Sequence, residues 1–388
     1  MRPICETLSI LIGLATLAAA EDVTLTRKPH SVKATIGDDV FAVFQFDENR
    51  RKPFVLPVTG PGGFELLELA QPSEDPGVAG RKVVIADESP QFRMDAKGEP
   101  PAFSIGQVFT AGEIKNDWVH IPDLHGFIHR SDLAPLVSTV TRLINDHPPG
   151  IKDRKDPLFY DHPHHKGVWF SVDEINGIKF WNEDGIIKNE SVEIVKPSGN
   201  PAVLKTVNHW LGTDGKPLLE EAATISLYAD RLLTYDVTIR ALAKEVEIGD
   251  TKEGMFAIRL PNTMREFVSG GPVVNADGVE GVTSAWGLTS SWVDYKGPID
   301  GHVFAVTLMD YPGNPWKSRY HVRDYGLFAI NPFGSGAYTK GRDDAQEAHH
   351  RVMKAGGDSL RFKFGLFVHA GDTTVEEVNA VYQKFAKD

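Results

Sequence analysis

Three histidines fall within four positions of YDHPHHKGVWFS, residues 160–171: His162, His164 and His165, with Lys166, Gly167 and Trp169 close behind. Imidazole exchanges its proton near neutral pH, so two of them beside a polar substrate can serve as acid and base without a metal. In an extended chain His162 and His164 point to one side and His165 to the other, so at most two share a site unless Pro163 bends the chain. Three neutral imidazoles with a carboxylate could instead hold zinc or copper, but the stretch repeats no known zinc spacing. The bland alternative is a turn capped by Asp161 and His162, with one imidazole bonded to a backbone carbonyl. Clustering with Lys166 and Trp169 favours function: His164 and His165 are candidate acid–base groups, and His162, Lys166 and Trp169 candidate substrate contacts. Gly167 suits a close backbone approach at a strand start.

Two further stretches carry chemistry. EIGDTKEG places Glu247, Asp250, Lys252 and Glu253 together; if extended, Asp250 and Lys252 share one face and Glu253 takes the other. A buried carboxylate there would be raised in pKa and could act as general acid or base, whereas a charged run read alone is a solvated turn. WKSRYHVRDYGLFAINPFG gathers Trp316, Arg319, His321, Arg323, Asp324, Tyr325 and Asn331. Its arginines can clamp a carboxylate or a vicinal diol and its rings can stack on a sugar, or Arg323 and Asp324 can simply pair with each other. Arg259, at the end of the apolar run MFAIRL, joins His321, Arg323, Asp324, Tyr325, Asn331 and Lys252 as a candidate substrate contact.

The elements that position these residues are mostly strands. Gly (36) and Pro (25) are frequent, and the apolar residues come in short alternating runs separated by turns. In LRFKFGLFVHA, Leu360, Phe362, Phe364, Leu366 and Val368 share one face while Arg361, Lys363 and His369 share the other. In LLTYDVTIRA, Leu233, Tyr235, Val237 and Ile239 align, so both read as half-buried antiparallel strands. With VFAVFQF, GVWFSV, VEIV, AVLKTVNHW, AATISLYA, MFAIRL, SSWVDY and HVFAVTLM, the expected fold is a mainly β chain: a large antiparallel sandwich ending in a C-terminal helix. That helix is announced by the capping box Thr374/Glu377 and the stripe Val375, Val378, Tyr382 and Phe385. A weaker helix is expected in APLVSTVTRLIND, residues 134–146. Residues 80–137 differ in texture, with very short strands, and DWVHI followed by GFIHRSDL resembles the end of a small bacterial SH3-like barrel; the alternative is an ordinary meander of the main sheet.

Arg2 and the apolar run from Leu8 to Ala20, ending in Ala-x-Ala, read as a signal peptide cleaved before Glu21. The expected division is thus residues 1–20 signal, 21–70 first part of the sandwich, 80–137 insertion and 150–388 the remainder, with a periplasmic or extracellular location. The only cysteine, Cys5, lies in that leader, which leaves no thiol nucleophile or disulfide. Without Arg2 and Glu6 the balance is 40 basic to 52 acidic residues, still −12, which argues against nucleic acid as a partner. The later sequence has no run apolar and long enough for a membrane-spanning helix. It also lacks a nucleophile elbow, P-loop, dinucleotide fingerprint and His-Glu-x-x-His motif.

Five stretches in order, KPFVLPVTGPGG (52–63), DHPHHKGVWFSVDEINGIKFW (161–181), IGDTKEGMFAIRL (248–260), SSWVDYKG (290–297) and SRYHVRDYGLFAINPFG (318–334), resemble the DUF6807 family, often labelled PmoA-like. Many members of that family come from glycan-degrading bacteria, and the family is distantly similar to the galactose-mutarotase-like supersandwich, where histidines and a late carboxylate line a sugar cleft. The resemblance implies a carbohydrate or other small polar substrate, and it makes Glu253 and Asp250 candidate catalytic carboxylates beside His164 and His165. Many members carry Asp-His-Pro where this chain has Asp310, Tyr311 and Pro312, so no histidine role transfers to position 311. The leading expectation is an exported enzyme doing acid–base chemistry on a sugar, by epimerisation, elimination or keto-sugar processing, with no cofactor. The alternatives are a noncatalytic glycan-binding module and, following the PmoA-like label, a metal-dependent oxygenase or hydrolase holding its metal through His162, His164 and His165.

Overall fold

The computed structural model describes residues 22–48, 50–64, 66, 82–85, 89–95, 98–103, 108–135, 164–261, 264–266, 273–299, 302–324, 326–340 and 351–387. The expected signal peptide and most of the expected 134–146 helix lie outside them. Among the described residues two large antiparallel sheets form the body of the molecule. One has nine strands in the order Ser198–Gly199, Val23–Lys28, Ser31–Ile36, Asp39–Gln45, Phe54–Val58, Val168–Val172, Gly254–Arg259, Leu327–Asn331, Arg319–Val322. The other has eight, in the order Ile186–Lys196, Ala202–Leu211, Pro217–Leu227, Leu232–Ala241, Ser359–Ala370, His302–Asp310, Trp292–Ile299, Val273–Asn275.

The sheets pack face to face through aromatic rings. Phe256 stacks on Phe364 with centroids 5.6 Å apart, Phe170 on Tyr235 at 5.4 Å, and Phe328 meets Tyr295 at 5.9 Å. Such pairs add to plain apolar burial, at about 0.5–1.5 kcal/mol each. Inside this core Glu221, 1% exposed, accepts hydrogen bonds from Asn208 Nδ2 and Trp210 Nε1 at 2.8 Å and from the Tyr235 hydroxyl at 2.6 Å.

The Ser359–Ala370 strand departs from the half-buried expectation. Lys363 and His369, which alternation puts on the open face, are only 7% and 4% exposed. The C-terminal helix Val375–Phe385 covers that face: Val378, Tyr382 and Phe385 pack with Leu232, Trp292, Met309 and Phe367, and the Lys363 ammonium donates to the Phe385 carbonyl at 3.2 Å. The helix carries its expected capping box, with the Thr374 hydroxyl accepting from Glu377 N and the Glu377 carboxylate accepting from Thr374 N.

Residues 82–135 leave the nine-stranded sheet after Phe54–Val58 and precede Val168–Val172, two strands that are neighbours in that sheet. They form two small sheets, of four and three strands, around an apolar cluster of their own that includes Val83, Ile85, Val119, Ile121, Ile128 and Leu133. No described helix is long and apolar enough to cross a membrane.

Candidate functional site

Cross-strand register fixes which side chains share a face of a sheet. Across the last four strands of the nine-stranded sheet, Phe170, Phe256, Ile330 and Tyr320 form one row, and Val168, Ile258, Phe328 and Val322 another. These rows point into the core. Trp169, Ala257, Ala329 and His321 form the alternate row and therefore occupy the opposite face. By the same parity Ser171, Asp173, Glu253, Met255, Arg259, Asn331, Arg319 and Arg323 belong to that face or to its margins. The strands look apolar throughout in sequence because both of their faces are buried; Trp169, Ala257, Ala329 and His321 are each 2% exposed or less.

One end of this polar face is built by the histidine stretch. Gly167 has φ +56°, and a Cβ there would lie 2.2 Å from the Val55 carbonyl oxygen, so the close backbone approach requires glycine. The tight turn lays the His165 ring flat on Trp169, with centroids 5.1 Å apart and planes 19° from parallel. Arg259 donates from Nη1 to His165 Nδ1 at 3.0 Å. A guanidinium has only donors, so Nδ1 is the acceptor and the ring proton of neutral His165 sits on Nε2. A cation at that distance also opposes a metal ion on the same ring. Among the described residues no group of three or more His, Cys, Asp or Glu could hold a metal, and His162, the third member of the expected triad, lies outside them.

Lys166, expected to face substrate, is instead buried and paired with Glu183 at 2.7 Å. A second buried ammonium, Lys52, shares that carboxylate at 3.4 Å, donates to the His164 carbonyl at 2.8 Å and lies 5.3 Å from the Trp169 ring centroid. Burial pulls the Lys52 ammonium down to about 8, against the pull of Glu183, and lowers Lys166 for the same reason. The pair fastens the turn at 164–166 to the strands beside it. His164 lies at this end as well, its ring 4.6 Å from that of His165.

The other end gathers around Glu253. Antiparallel pairing of Val168 with Ile258 and Val172 with Gly254 sets Arg259 beside Gly167, and Glu253 beside Asp173. Glu253 and Arg259 are six residues apart along an extended chain, ~20 Å at 3.3 Å per residue. His165 and Glu253 therefore do not meet on one sugar ring, which separates the acid–base partners expected from the sequence. Glu253 has nearer neighbours. Burial raises its carboxyl, and the Asp173 charge adds to the rise while Lys252 opposes it. Asp173 is raised by burial too. Tyr338 donates to the Lys252 carbonyl at 2.6 Å, and its hydroxyl is held well above its ordinary range by burial and then by the Glu253 charge, with Arg319 and Arg323 acting the other way. The His321 ring lies 6.0 Å from Tyr338 and 6.3 Å from Trp286.

The remaining expected residues support this end. Residues 250–253 form a turn, not the extended run considered above, and the strand begins at Gly254. Asp250 accepts the Ala337 amide at 3.1 Å, and Lys252 is exposed, 3.8 Å from Glu253. Asn331 donates to the Thr251 carbonyl and accepts from Phe333 N, both at 2.9 Å, so it ties the two turns together. Asp324 is exposed at the far turn, and Tyr325 lies outside the described residues.

The family profile described as "Family of unknown function (DUF6807)" matches residues 137–383. This chain belongs to the DUF6807 family. That span holds both ends of the polar face. No curated protein matches the DUF6807 chain. Among solved structures, the galactose 1-epimerase of Lactobacillus acidophilus NCFM is similar at 9% identity and TM-score 0.32, over 90% of this chain and 98% of that one. A β-arabinopyranosidase is similar at 10% identity and TM-score 0.28, and a GH36 α-galactosidase of Geobacillus stearothermophilus at 8% identity and TM-score 0.31. The matches cover 53% and 69% of this chain; the chain spans 32% of the arabinopyranosidase and 40% of the galactosidase.

Sequence reasoning missed Ser171, Asp173, Trp286, Arg319 as a face partner of His321, and Tyr338. Parity could have found three of them: Ser171 and Asp173 follow Trp169 by two and four residues, and Arg319 precedes His321 by two. Tyr338, in the short helix Ser335–Thr339, and Trp286, in a loop, reach the site only through tertiary folding.

Proposed function

We propose that this DUF6807 protein is an exported enzyme that acts on a carbohydrate by proton transfer at the Glu253 end of the polar sheet face. The observation that carries the reading is the raised carboxyl of Glu253 beside Asp173, within electrostatic reach of the buried Tyr338 hydroxyl, on which Arg319 and Arg323 also act. A raised carboxyl keeps its proton to higher pH than an ordinary one, which suits a general acid. His321, whose ring lies 6.0 Å from that of Tyr338, takes the complementary role of base. One group removes a proton and another returns one, so epimerisation or elimination would consume no redox partner.

A sugar fits the rest of the face. Rings take the C–H faces of a pyranose, and ordered donors take its hydroxyls. The buried indole N–H groups of Trp169 and Trp286 have no hydrogen-bond partner among the described residues, and a sugar oxygen would satisfy a donor whose burial otherwise costs on the order of 1–3 kcal/mol. Export is supported by the basic, apolar and Ala-x-Ala order of residues 1–20; N-terminal sequencing of secreted protein should begin at Glu21.

The test is turnover of a neutral-sugar panel followed by NMR in deuterated water, which reports both a new product and solvent exchange at carbon. Glu253→Gln and His321→Ala should each lower kcat by about 10²–10⁴-fold. Wild-type turnover by both variants would refute the assignment. Binding without product or exchange in the wild type would mark the chain as a binding module.

A further inference from the structure

A second concavity lies beyond the Arg319 edge of the nine-stranded sheet, where the His302–Asp310 strand ends against the C-terminal helix. Its volume is about 490 Å³, within the range of about 300–1,000 Å³ usual for small-ligand sites. We propose that it is a binding subsite for a neutral saccharide, separate from the polar sheet face. Three properties point to that ligand class.

The first is rigid aromatic wall. Tyr311, Trp316 and Tyr382 line the cavity, and their polar ends or ring faces are already committed elsewhere. The Trp316 indole donates to the Pro332 carbonyl and its ring packs edge-on against Phe333 and Phe362, both 5.7 Å away. The Tyr382 hydroxyl donates to the Asp310 carbonyl at 3.3 Å, and Tyr311 sits 4.9 Å from the Lys363 ammonium. Rings fixed in this way offer apolar surface with little further loss of side-chain entropy when a ligand arrives.

The second is hydroxyl-rich lining. Thr289, Ser290 and Ser291 form a run along one wall. Ser290 accepts the Ala276 amide at 3.2 Å, which fixes the run without using its donor capacity. Hydroxyls both donate and accept, the complement of a polyol.

The third is charge. The lining carries Asp277 and Asp310 against one ammonium, Lys317, so a phosphate, sulfate or uronate would meet net repulsion. The Asp310 oxygens are already taken by Ser318 N at 2.8 Å, Ser318 Oγ at 2.9 Å and Asn314 Nδ2 at 2.8 Å, which makes this carboxyl a buttress of the wall.

The loop carrying Thr289–Ser291 also carries Trp286, whose ring packs on Tyr338 at 5.1 Å, and Gly287, whose carbonyl accepts from Arg319 at 2.8 Å. The cavity and the polar face are therefore two sides of one loop, and a glycan held at one would be presented near the other. Binding at the cavity does not depend on the proton chemistry proposed above.

The full chain would be titrated with galactose, glucose, xylose and cellobiose, with glucuronate as the anionic control, by ligand-observed NMR and calorimetry. Ser291→Trp, at an exposed position, fills the cavity; Thr289→Trp is the second blocking variant, and circular dichroism checks both for folding. The expected result is that at least one neutral sugar binds the wild type and Glu253→Gln alike, binds both blocking variants at least about tenfold more weakly, and outcompetes glucuronate. Failure of every neutral sugar to bind the wild type, or unchanged binding by folded Ser291→Trp and Thr289→Trp, overturns the subsite. Binding lost in Glu253→Gln and retained in the blocking variants also overturns it, while leaving the sheet-face reading intact.

Discussion

Replacement of Asp310 by asparagine tests whether the cavity wall is held by a buried, partly neutral carboxyl. The side chain is 6% exposed, and burial raises it from its ordinary 3.8 to about 6 even though hydrogen bonds from Ser318 N, Asn314 and Ser318 Oγ all favour the ionised form. The folded state therefore holds this proton more tightly than the unfolded chain. Its contribution is fully present below about pH 4 and is lost as the pH rises through about 6. At about 1.4 kcal/mol per tenfold, the loss across that window is ~3 kcal/mol. An asparagine side chain cannot ionise, so Asp310→Asn lacks this slope, while one of its amide hydrogens faces a donor and costs about 1 kcal/mol at every pH. Urea unfolding of both proteins from pH 4 to pH 7.5 gives the difference between them, from which the carboxylates common to both cancel. The variant should be less stable at pH 4 and gain on the wild type by up to ~3 kcal/mol by pH 7. A stability difference that stays flat across the window would refute the buried-carboxyl account.

Gly167→Ala should cost at least ~1–3 kcal/mol from the left-handed backbone alone, with more from the Cβ placed 2.2 Å from the Val55 oxygen, read as a lowered urea midpoint. Glu221→Ala strands the donors of Asn208, Trp210 and Tyr235, and should destabilise by on the order of 3 kcal/mol or more in the same assay. Thr374→Ala removes the capping hydroxyl of the last helix and should cost ~1 kcal/mol, with hydrogen exchange quickening at Glu377. If Glu253 acts as the acid, turnover should fall as the pH rises through its raised pKa, and the limb should vanish from residual activity in Glu253→Gln; an unchanged pH profile would remove it from that role.

The sandwich was legible because strand alternation is a local signal: Leu232–Ala241 has the bounds its pattern implies, and Ser359–Ala370 differs by one residue at its start. Burial on the second face was not legible, since the helix that covers Lys363 and His369 is a separate element whose docking side no run of residues encodes. The candidate site was legible in part. Clustering singled out His165, Glu253 and His321 as candidates, but clustering along the chain says nothing of which end of a strand pair a residue occupies. Register decides that, and it placed Gly167 beside Arg259 and Asp173 beside Glu253. Lys166 looked like a substrate cation because its partner Glu183 lies seventeen residues on, across a turn.

The row Trp169, Ala257, Ala329, His321 also shows which of the proposed groups the sheet itself positions: Trp169 and His321 sit on strands, while Glu253 lies in the turn just before one. Three strand spacings separate its outer members, ~14 Å, and the two between them are alanines. All four side chains are 2% exposed or less, so the two alanine methyls are packed over and the row leaves little room for a larger side chain in its middle. Strand-borne groups hold their positions more closely than loop-borne ones. Ala257→Leu would overpack the middle of that row while leaving Glu253 and His321 themselves unaltered. Overpacking of this kind costs ~1–3 kcal/mol of stability, so a folded variant is expected. Such a variant should lose turnover through a raised KM with kcat little changed, because ring placement is disturbed while the proton-transfer groups are not. Equal losses in kcat and kcat/KM would show instead that the middle of the row takes part only in the transition state.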